Sequence, residues 1–253
     1  MQSLLGKLNH AAGLLIIMRP FMEPMWAAIK EHLSGKKTGA PHNTVWTKQM
    51  APSLQWFSAF FSTRGKHLER FFTVSAYLRT GAVVEIGTDA SPWGMGGWLT
   101  INGAITHYFG CPVTEDDAQK YGFAVGDSDG QQIWECLAML IAVDAWAHLW
   151  RQQRVVLKLR GDNVGALYMV VKMRPPDAAH AIIAREMALR LAELSFPPDA
   201  VHTPGVAHVL ADRLSRVFAP GGKNKVDKSI HPALVNAEVT NVPVRDDHWY
   251  KLG

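Results

Sequence analysis

The spacing of apolar residues along the chain changes from a helical to a strand-like period at about residue 82. Over residues 4–18 apolar side chains recur at helical spacing, and residues 44–72 are rich in tryptophan and phenylalanine. Both stretches predict amphipathic helices. After residue 82, short runs of β-branched and aromatic residues separated by turn signals predict strands.

The segment that begins with these strands predicts an α/β domain. Asn102-Gly103, between the second and third strands, is a strong signal for a two-residue hairpin and predicts an antiparallel β1-β2-β3 meander. Helices and two further strands then alternate. Strands are predicted over residues 83–89, 94–101, 104–109, 155–159 and 200–203, and helices over residues 132–150, 163–173, 177–194 and 208–217.

We predict three regions along the chain. Residues 1–80 form a helical segment, with Pro20 interrupting its first helix, and residues 81–220 hold the α/β domain. Residues 111–130 are polar and acidic and predict a loop or insertion within that domain. Residues 221–253 follow a proline-glycine turn and are predicted to form an extended, weakly ordered tail.

Composition narrows the functional classes only slightly. The net charge of +4 and the pI of about 9.1 permit a polyanionic partner without requiring one. Cys111 and Cys136 have no paired spacing, so a reducing compartment is favoured over a disulfide framework. The apolar stretch over residues 14–18 is too short to cross a bilayer. We therefore expect an intracellular protein, cytoplasmic or nuclear and not secreted, with no membrane partner.

Acidic residues at the ends of otherwise apolar elements are the main sign of chemistry. They are Asp89, Glu135, Asp162 and Asp212. Like charges that are brought together repel, and an unpaired buried carboxylate is costly. A divalent cation relieves both costs, and Mg²⁺ prefers carboxylate oxygen. The pattern predicts a phosphodiester hydrolase with two Mg²⁺ ions, or Mn²⁺ in their place.

The sequences around these acids resemble the ribonuclease H domain of retrotransposon reverse transcriptases. They are TDASPWGMGGWL, IWECLAMLIAVDAW, LRGDNVGAL and VHTPGVAHVLADRLSRV. The last contains an HxPGxxxxxADxLSR pattern that is typical of long-terminal-repeat and tyrosine-recombinase-type retroelements. The resemblance implies a ribonuclease H-like fold, with a mixed five-stranded sheet flanked by helices. It also implies hydrolysis of the RNA strand of an RNA/DNA hybrid.

Segments outside the domain extend the resemblance to about residues 1–235. LLGKLNHAAG and MRPFMEPMW resemble the thumb and connection that follow the polymerase palm in the same group, and HPAL near residue 231 resembles their tail. Asp116-Asp117 and Asp246-Asp247 lack the strand pattern that flanks the aromatic-x-Asp-Asp motif of polymerases. We therefore expect a C-terminal piece of a polyprotein, with the polymerase portion as its partner.

The resemblance also implies roles for the candidate residues. Asp89 would bridge both ions, Glu135 and Asp162 would complete one site, and Asp212 would complete the other. Further residues are predicted to contact the substrate, and two histidines are candidates for an auxiliary role, because cellular ribonucleases H carry a mobile histidine in this region. The substrate residues are Ser91, Arg160, Asn163 and Arg213, and the histidines are His202 and His208.

Simpler structural roles stay open for several of these residues. Asp162 would also suit a helix cap, and Arg160 and Arg213 could pair with acids. His202 fits the end of a strand, and His208 fits the start of the last helix.

Two other functions fit the same sequence. One is a catalytically silent retroelement fragment that binds nucleic acid or supports a polymerase half. The other is an integrase- or resolvase-like member of the same fold family, although those proteins usually carry three acids at a different spacing. Since all four acids are present, the sequence favours the nuclease.

Overall fold

The computed structural model describes residues 1–33, 41, 44–64, 78, 80–149, 155–191 and 198–250. The chain divides into two compact units, Met1–Phe71 and Phe72–Lys251. Parts of the predicted helices (residues 65–72, 150 and 192–194) and residues 251–253 of the predicted tail lie outside the described residues. No described helix has the length and apolar character needed to span a membrane.

The described part of the first unit is mostly helical, as predicted. Its α-helices are α1 (Gln2–Leu14), α2 (Arg19–Leu33) and α3 (Ala51–Ala59). The ring of Phe21 in α2 stacks on that of Trp56 in α3, with 4.0 Å between the centroids. Pro20 lies in the first turn of α2, where its missing N–H costs no hydrogen bond. The helical break therefore precedes Pro20.

The second unit contains a mixed β-sheet. Its strands are β1 (Ala82–Ser91), β2 (Gly94–Ile101), β3 (Ala104–Pro112), β4 (Val155–Gly161), β5 (Asp199–His202) and β6 (Glu238–Val239). Within the described residues the sheet has the order β5-β4-β1-β2-β3-β6. β1 pairs antiparallel with β2 and β2 with β3, so the predicted meander is confirmed. β4 pairs parallel with both β1 and β5.

Helices lie on both faces of this sheet. They are α4 (Glu115–Tyr121), α5 (Gln131–Trp146), α6 (Val164–Lys172), α7 (Ala178–Leu191) and α8 (Val209–Ser215). Successive strand residues point to opposite faces. A Cβ on Gly96 would meet Leu214 of α8, whereas one on Gly97 would meet Phe109. The Phe109 ring packs against Trp146 of α5 at 5.5 Å between centroids. α5 and α8 therefore cover opposite faces, and the predicted α/β class is confirmed.

The residues predicted as a weakly ordered tail pack onto the domain. β6 pairs parallel with β3 and adds an edge strand, so the sheet has six strands in the described part of the chain, where five were predicted. Leu234 and Ala237 are fully buried, and Arg245 forms a buried ion pair with Asp117. A two-residue strand has no periodic hydrophobic pattern, which explains why the sequence did not reveal it.

The segment over residues 111–130, predicted as a loop, contains α4. This helix begins with a capping box, in which the Thr114 hydroxyl accepts from the Asp117 N–H and the Asp117 carboxylate accepts from the Thr114 N–H. Asp117 replaces the usual Glu or Gln of this motif. It therefore serves both as part of the cap and as the partner of Arg245.

Candidate metal centre

Carboxylates from β1, from the residue directly after β4 and from a helix converge near the end of β1. One ligand oxygen from each of Asp89, Glu135 and Asp162 lies within 4.8 Å of the other two. Gly87 pairs with Arg160 in the parallel register of β1 and β4, which brings Asp89 and Asp162, each two residues further along the chain, to neighbouring positions. Glu135 reaches the same point from α5. This group is compact enough to hold one cation.

Asp89 is positioned by the close approach of α8 to the sheet. Gly96 on β2 pairs with Asp89, and a Cβ at Gly96 would come within 2.6 Å of the Ser215 backbone nitrogen. The missing side chain lets α8 lie directly on the strand. The buried Ser215 hydroxyl then donates a hydrogen bond of 2.6 Å to Asp89 Oδ2. One oxygen of Asp89 is thereby fixed by the protein.

Glu135 is held through only one of its oxygens. Its Oε1 accepts hydrogen bonds from the Ala90 N–H and the Gln131 side chain, both at 3.2 Å. Gln131 also donates to the Ala90 carbonyl at 2.6 Å, which ties the start of α5 to the end of β1. Glu135 Oε2 is buried, and no hydrogen-bond partner reaches it within the described residues. An unsatisfied buried carboxylate oxygen is costly, so Oε2 fits the role of a metal ligand.

The electrostatics of the cluster favour a bound cation. Burial, together with repulsion from Asp162 and Asp212, raises the pKa of Asp89 to about 6, and the Ser215 hydrogen bond opposes the rise. Burial, with repulsion from Asp89 and Asp162, also raises the pKa of Glu135 well above its ordinary value. A divalent cation favours the charged forms of all these groups. Carboxylate oxygens are the donors that suit Mg²⁺ or Mn²⁺.

Asp212 is not one of the three convergent acids. Its Oδ1 accepts a hydrogen bond of 2.6 Å from Arg216 Nε, one helical turn later. Its backbone carbonyl lies 2.9 Å from the Ser215 hydroxyl, whose one proton forms the shorter bond to Asp89. Asp212 is near enough to raise the pKa of Asp89. The fourth acid thus lies beside the cluster but is paired with a cation of the protein.

Two of the predicted substrate residues have bonds within the fold. The Ser91 hydroxyl is buried and donates to the Ser215 carbonyl at 2.9 Å, linking the end of β1 to α8. The Asn163 side chain caps α6 by accepting a bond of 3.0 Å from the Ala166 N–H. Asn163, and not Asp162, is therefore the cap of this helix. These bonds account for both side chains without a substrate, and their substrate contacts stay predictions.

The two predicted arginines also have partners. Arg160 donates from Nε and Nη2 to the two oxygens of Glu85 on the adjacent strand, each at 3.2 Å. Arg213 is exposed, and its Nη1 donates to the Ile230 carbonyl at 3.3 Å. Contacts of Arg160 and Arg213 with substrate phosphates stay predictions.

The histidines differ in their surroundings. His202 is exposed at the end of β5. His208 is buried directly before α8, and its Nε2 donates to the Thr88 carbonyl at 2.7 Å, beside Asp89. His208 thus ties the start of α8 to β1. An auxiliary catalytic role for either histidine stays a prediction.

The residues that support the carboxylates were not identified from the sequence. Gly96, Gln131 and Ser215 each orient an acid or make room for the element that does so. Their spacing was a usable signal for two of them: Gln131 lies one turn before Glu135, and Ser215 lies one turn after Asp212. Gly96, a small residue within a strand, is a signal of close backbone approach, but only the structure shows that α8 is the element that approaches it.

No protein-family model and no curated protein matches the chain. Solved structures with similarity include ribonuclease H1 from the halophilic archaeon Halobacterium salinarum NRC-1, at 16% identity and a TM-score of 0.40 over 54% of this chain and 96% of that one. LC11-RNase H1 in complex with an RNA/DNA hybrid is similar at 15% identity and a TM-score of 0.43, over 58% and 99% of the two chains. A foamy viral protease-reverse transcriptase in complex with dsDNA is similar at 15% identity and a TM-score of 0.30, over 78% of this chain and 40% of that one.

The ribonuclease H-like fold of the second unit is evident in its own topology. That topology combines the antiparallel meander β1-β2-β3, the parallel strands β4 and β5 beside β1, and the helices α5 and α8 on opposite faces.

Proposed function

We propose that this protein is a metal-dependent endonuclease that hydrolyses the RNA strand of RNA/DNA hybrids. The observation that carries the proposal is the convergence of Asp89, Glu135 and Asp162 around a buried, unsatisfied carboxylate oxygen. Three carboxylates this close together repel one another and destabilise the folded protein unless they share a cation. Cation-dependent chemistry on a phosphodiester explains the cluster best.

The chain's own residues would divide the work of binding and orientation. Asp89, Glu135 and Asp162 would hold one Mg²⁺ ion, or Mn²⁺, and Asp89 with Asp212 would hold a second. Ions bound in this way lower the pKa of a coordinated water and neutralise the charge of a phosphate. Ser215 fixes one oxygen of Asp89 and leaves the other for an ion. Hydrolysis would break the bond between phosphorus and the 3′ oxygen, giving a 5′-phosphate and a 3′-hydroxyl.

We further propose that the chain is the ribonuclease H part of a retroelement reverse transcriptase, of the long-terminal-repeat or tyrosine-recombinase type. The sequences around the four acids support this origin, and so does the helical segment at residues 1–80 that resembles a thumb and connection. The polymerase portion of the same polyprotein is then its partner. An intracellular location, cytoplasmic or nuclear, follows from that role.

The ion pair of Asp212 with Arg216 favours a second candidate function. In that alternative the chain is a catalytically silent fragment that binds nucleic acid or supports a polymerase half. If the pair persists when divalent ions are present, the fourth carboxylate is bound to an arginine and cannot complete a second metal site. The protein would then bind a hybrid without cutting it.

Cleavage of an end-labelled RNA/DNA hybrid by the purified chain in Mg²⁺, and then in Mn²⁺, tests the proposal. Asp89→Asn and Glu135→Gln remove single metal ligands. Asp116→Asn and Glu115→Gln make the same chemical changes at exposed positions of α4 and serve as matched controls. We expect the wild type and both controls to cut only the RNA strand, and each site variant to lose at least about a hundredfold in rate.

Other results would decide between the candidates. A folded wild type that binds the hybrid but leaves it intact in both metals supports the silent fragment. Equal cleavage of a DNA duplex and of the hybrid would contradict the ribonuclease assignment and favour a different nuclease of this fold.

A further inference from the structure

Arg216 and Asp212 form an exposed ion pair at the edge of the carboxylate cluster. Arg216 Nε lies 2.6 Å from Asp212 Oδ1, and the two side chains are 60% and 40% exposed. Asp212 lies within α8, and Arg216, four positions later, is the residue directly after this helix. Asp89 lies close enough to act on the Arg216 charge. Arg216 is therefore a cation on the rim of the cluster.

The pair is weak enough to exchange partners. Exposed ion pairs contribute little to stability, because both side chains are well solvated without each other. A divalent ion is a much stronger partner for the Asp212 carboxylate than an arginine is. Once Asp212 binds such an ion, Arg216 loses its partner and faces the positive charge that displaced it.

We propose that Arg216 exchanges Asp212 for a phosphate of the nucleic-acid backbone when Asp212 takes a divalent ion. Arg216 is then a substrate-binding residue that pairs with Asp212 as long as no metal ion is bound there. The inference rests on the proposed function, since it needs a metal at Asp212 and a polyanion at the site. Arginine suits the exchange because its planar group pairs in two-bond geometry with carboxylate and phosphate alike.

A purely structural role for the same pair makes different predictions. An acid four residues before a base on a helix stabilises that helix slightly. A basic group near the last turn also interacts favourably with the helix dipole. If Arg216 does no more than this, releasing it from Asp212 changes helix stability slightly and adds no contact to a nucleic acid.

The test measures binding of a labelled RNA/DNA hybrid to the full chain in EDTA, by fluorescence anisotropy over a range of salt concentrations. Asp212→Asn imitates the loss of the Asp212 carboxylate to an ion and frees Arg216. We expect this variant to bind about five- to tenfold more tightly than the wild type. We also expect the slope of log K against log salt to steepen by about 0.9, the value for one added phosphate contact.

Companion variants separate the freed arginine from a simple change of net charge. Asp212→Asn/Arg216→Gln should lose the added slope, and Asp212→Asn/Arg216→Lys should keep most of it, since lysine also binds phosphate. Asp247→Asn removes an exposed acid that pairs with Lys120 at 3.6 Å, and should leave the slope unchanged. A slope that is the same in the wild type, Asp212→Asn and the double variant with glutamine would overturn the exchange.

The outcome is separable from that of the cleavage assay. A steeper slope in Asp212→Asn, with no cleavage by the wild type in Mg²⁺ or Mn²⁺, supports the exchange and contradicts hydrolysis. Cleavage with unchanged slopes contradicts only the exchange. If the wild type binds no hybrid even at low salt, both proposals fail.

Discussion

The Ser215 hydroxyl donates a 2.6 Å hydrogen bond to Asp89 Oδ2 and so links α8 to β1 at the candidate metal centre. Groups that orient a metal ligand typically contribute 10- to 100-fold to metal affinity. We therefore expect Ser215→Ala to weaken Mg²⁺ or Mn²⁺ binding by about that factor, measured by calorimetry. Ser229→Ala, at an exposed position in the tail, is the control and should bind metal as the wild type does.

The same substitution has a second, independent readout. The Ser215 hydrogen bond lowers the pKa of Asp89, against the effect of burial. Ser215→Ala should therefore raise the pKa of Asp89 further, and metal binding should need a higher pH. Unchanged metal affinity at every pH would mean that the bond does not orient the ligand.

Gly96 is the position at which α8 packs closely against the sheet. A Cβ there would lie 2.6 Å from both the Leu214 carbonyl carbon and the Ser215 nitrogen, and backbone atoms of a packed helix cannot move away cheaply. Overpacking of this kind typically costs 1–3 kcal/mol. We expect Gly96→Ala to lower the free energy of unfolding by about that amount in urea titrations, and to weaken metal binding by displacing Ser215.

Gly6 provides the matched control for this substitution. A Cβ at Gly6 in α1 would meet nothing within 4 Å, and alanine favours helix more than glycine does. Gly6→Ala should therefore leave the protein equally or slightly more stable. If Gly96→Ala lowered the free energy of unfolding no more than Gly6→Ala does, α8 could not lie as close to β2 as the structure places it.

The stability of the metal-free protein should depend on pH through Asp89. Its pKa in the folded protein is about 6, above the ordinary value of 3.8. A raised pKa means that folding favours the protonated form, so this contribution is fully present below pH 3.8 and is lost as pH rises through about 6. The loss is on the order of 3 kcal/mol at most. Burial raises the pKa of Glu135 too, and its effect has the same sign.

Urea denaturation in EDTA at several pH values between 4 and 8 measures this loss. We expect Asp89→Asn to gain stability relative to the wild type as pH rises, because it removes one of the repelling charges. Asp116→Asn, an exposed control, should follow the wild type. Added Mg²⁺ should restore the stability of the wild type at pH 8 but should not stabilise Asp89→Asn. A difference between wild type and Asp89→Asn that stays constant across this range would contradict the prediction.

The sequence predicted the parts of this fold that depend on local pattern. The meander follows from the runs of β-branched residues and from Asn102-Gly103. Asp89, Glu135 and Asp162 could be recognised from the residues that flank them. Contacts between distant segments were beyond that kind of pattern. The register that sets Gly96 against Asp89 is one of these contacts.

Other features could not be predicted from the sequence because one side chain has two roles. Asp117 caps α4 in place of the usual Glu or Gln, and so the helix start was not recognised. The same side chain pairs with Arg245, which is 128 positions later in the chain. Asp212 was predicted as a metal ligand, and its pairing with Arg216 depends on side-chain conformation, which spacing along a helix permits but does not determine.

The buried pair of Arg245 with Asp117 should hold the tail on the domain. Arg245 Nη2 lies 2.6 Å from Asp117 Oδ2, its Nε also bonds the same carboxylate, and the two side chains are 4% and 0% exposed. Removing one partner of a buried pair leaves an uncompensated charge and typically costs 3–5 kcal/mol. We expect Arg245→Met to lower the free energy of unfolding by about that amount. Asp247→Asn breaks the pair of this fully exposed acid with Lys120 and should cost less than about 1 kcal/mol. Equal losses in Arg245→Met and Asp247→Asn would show that the buried pair contributes little to the stability of the domain.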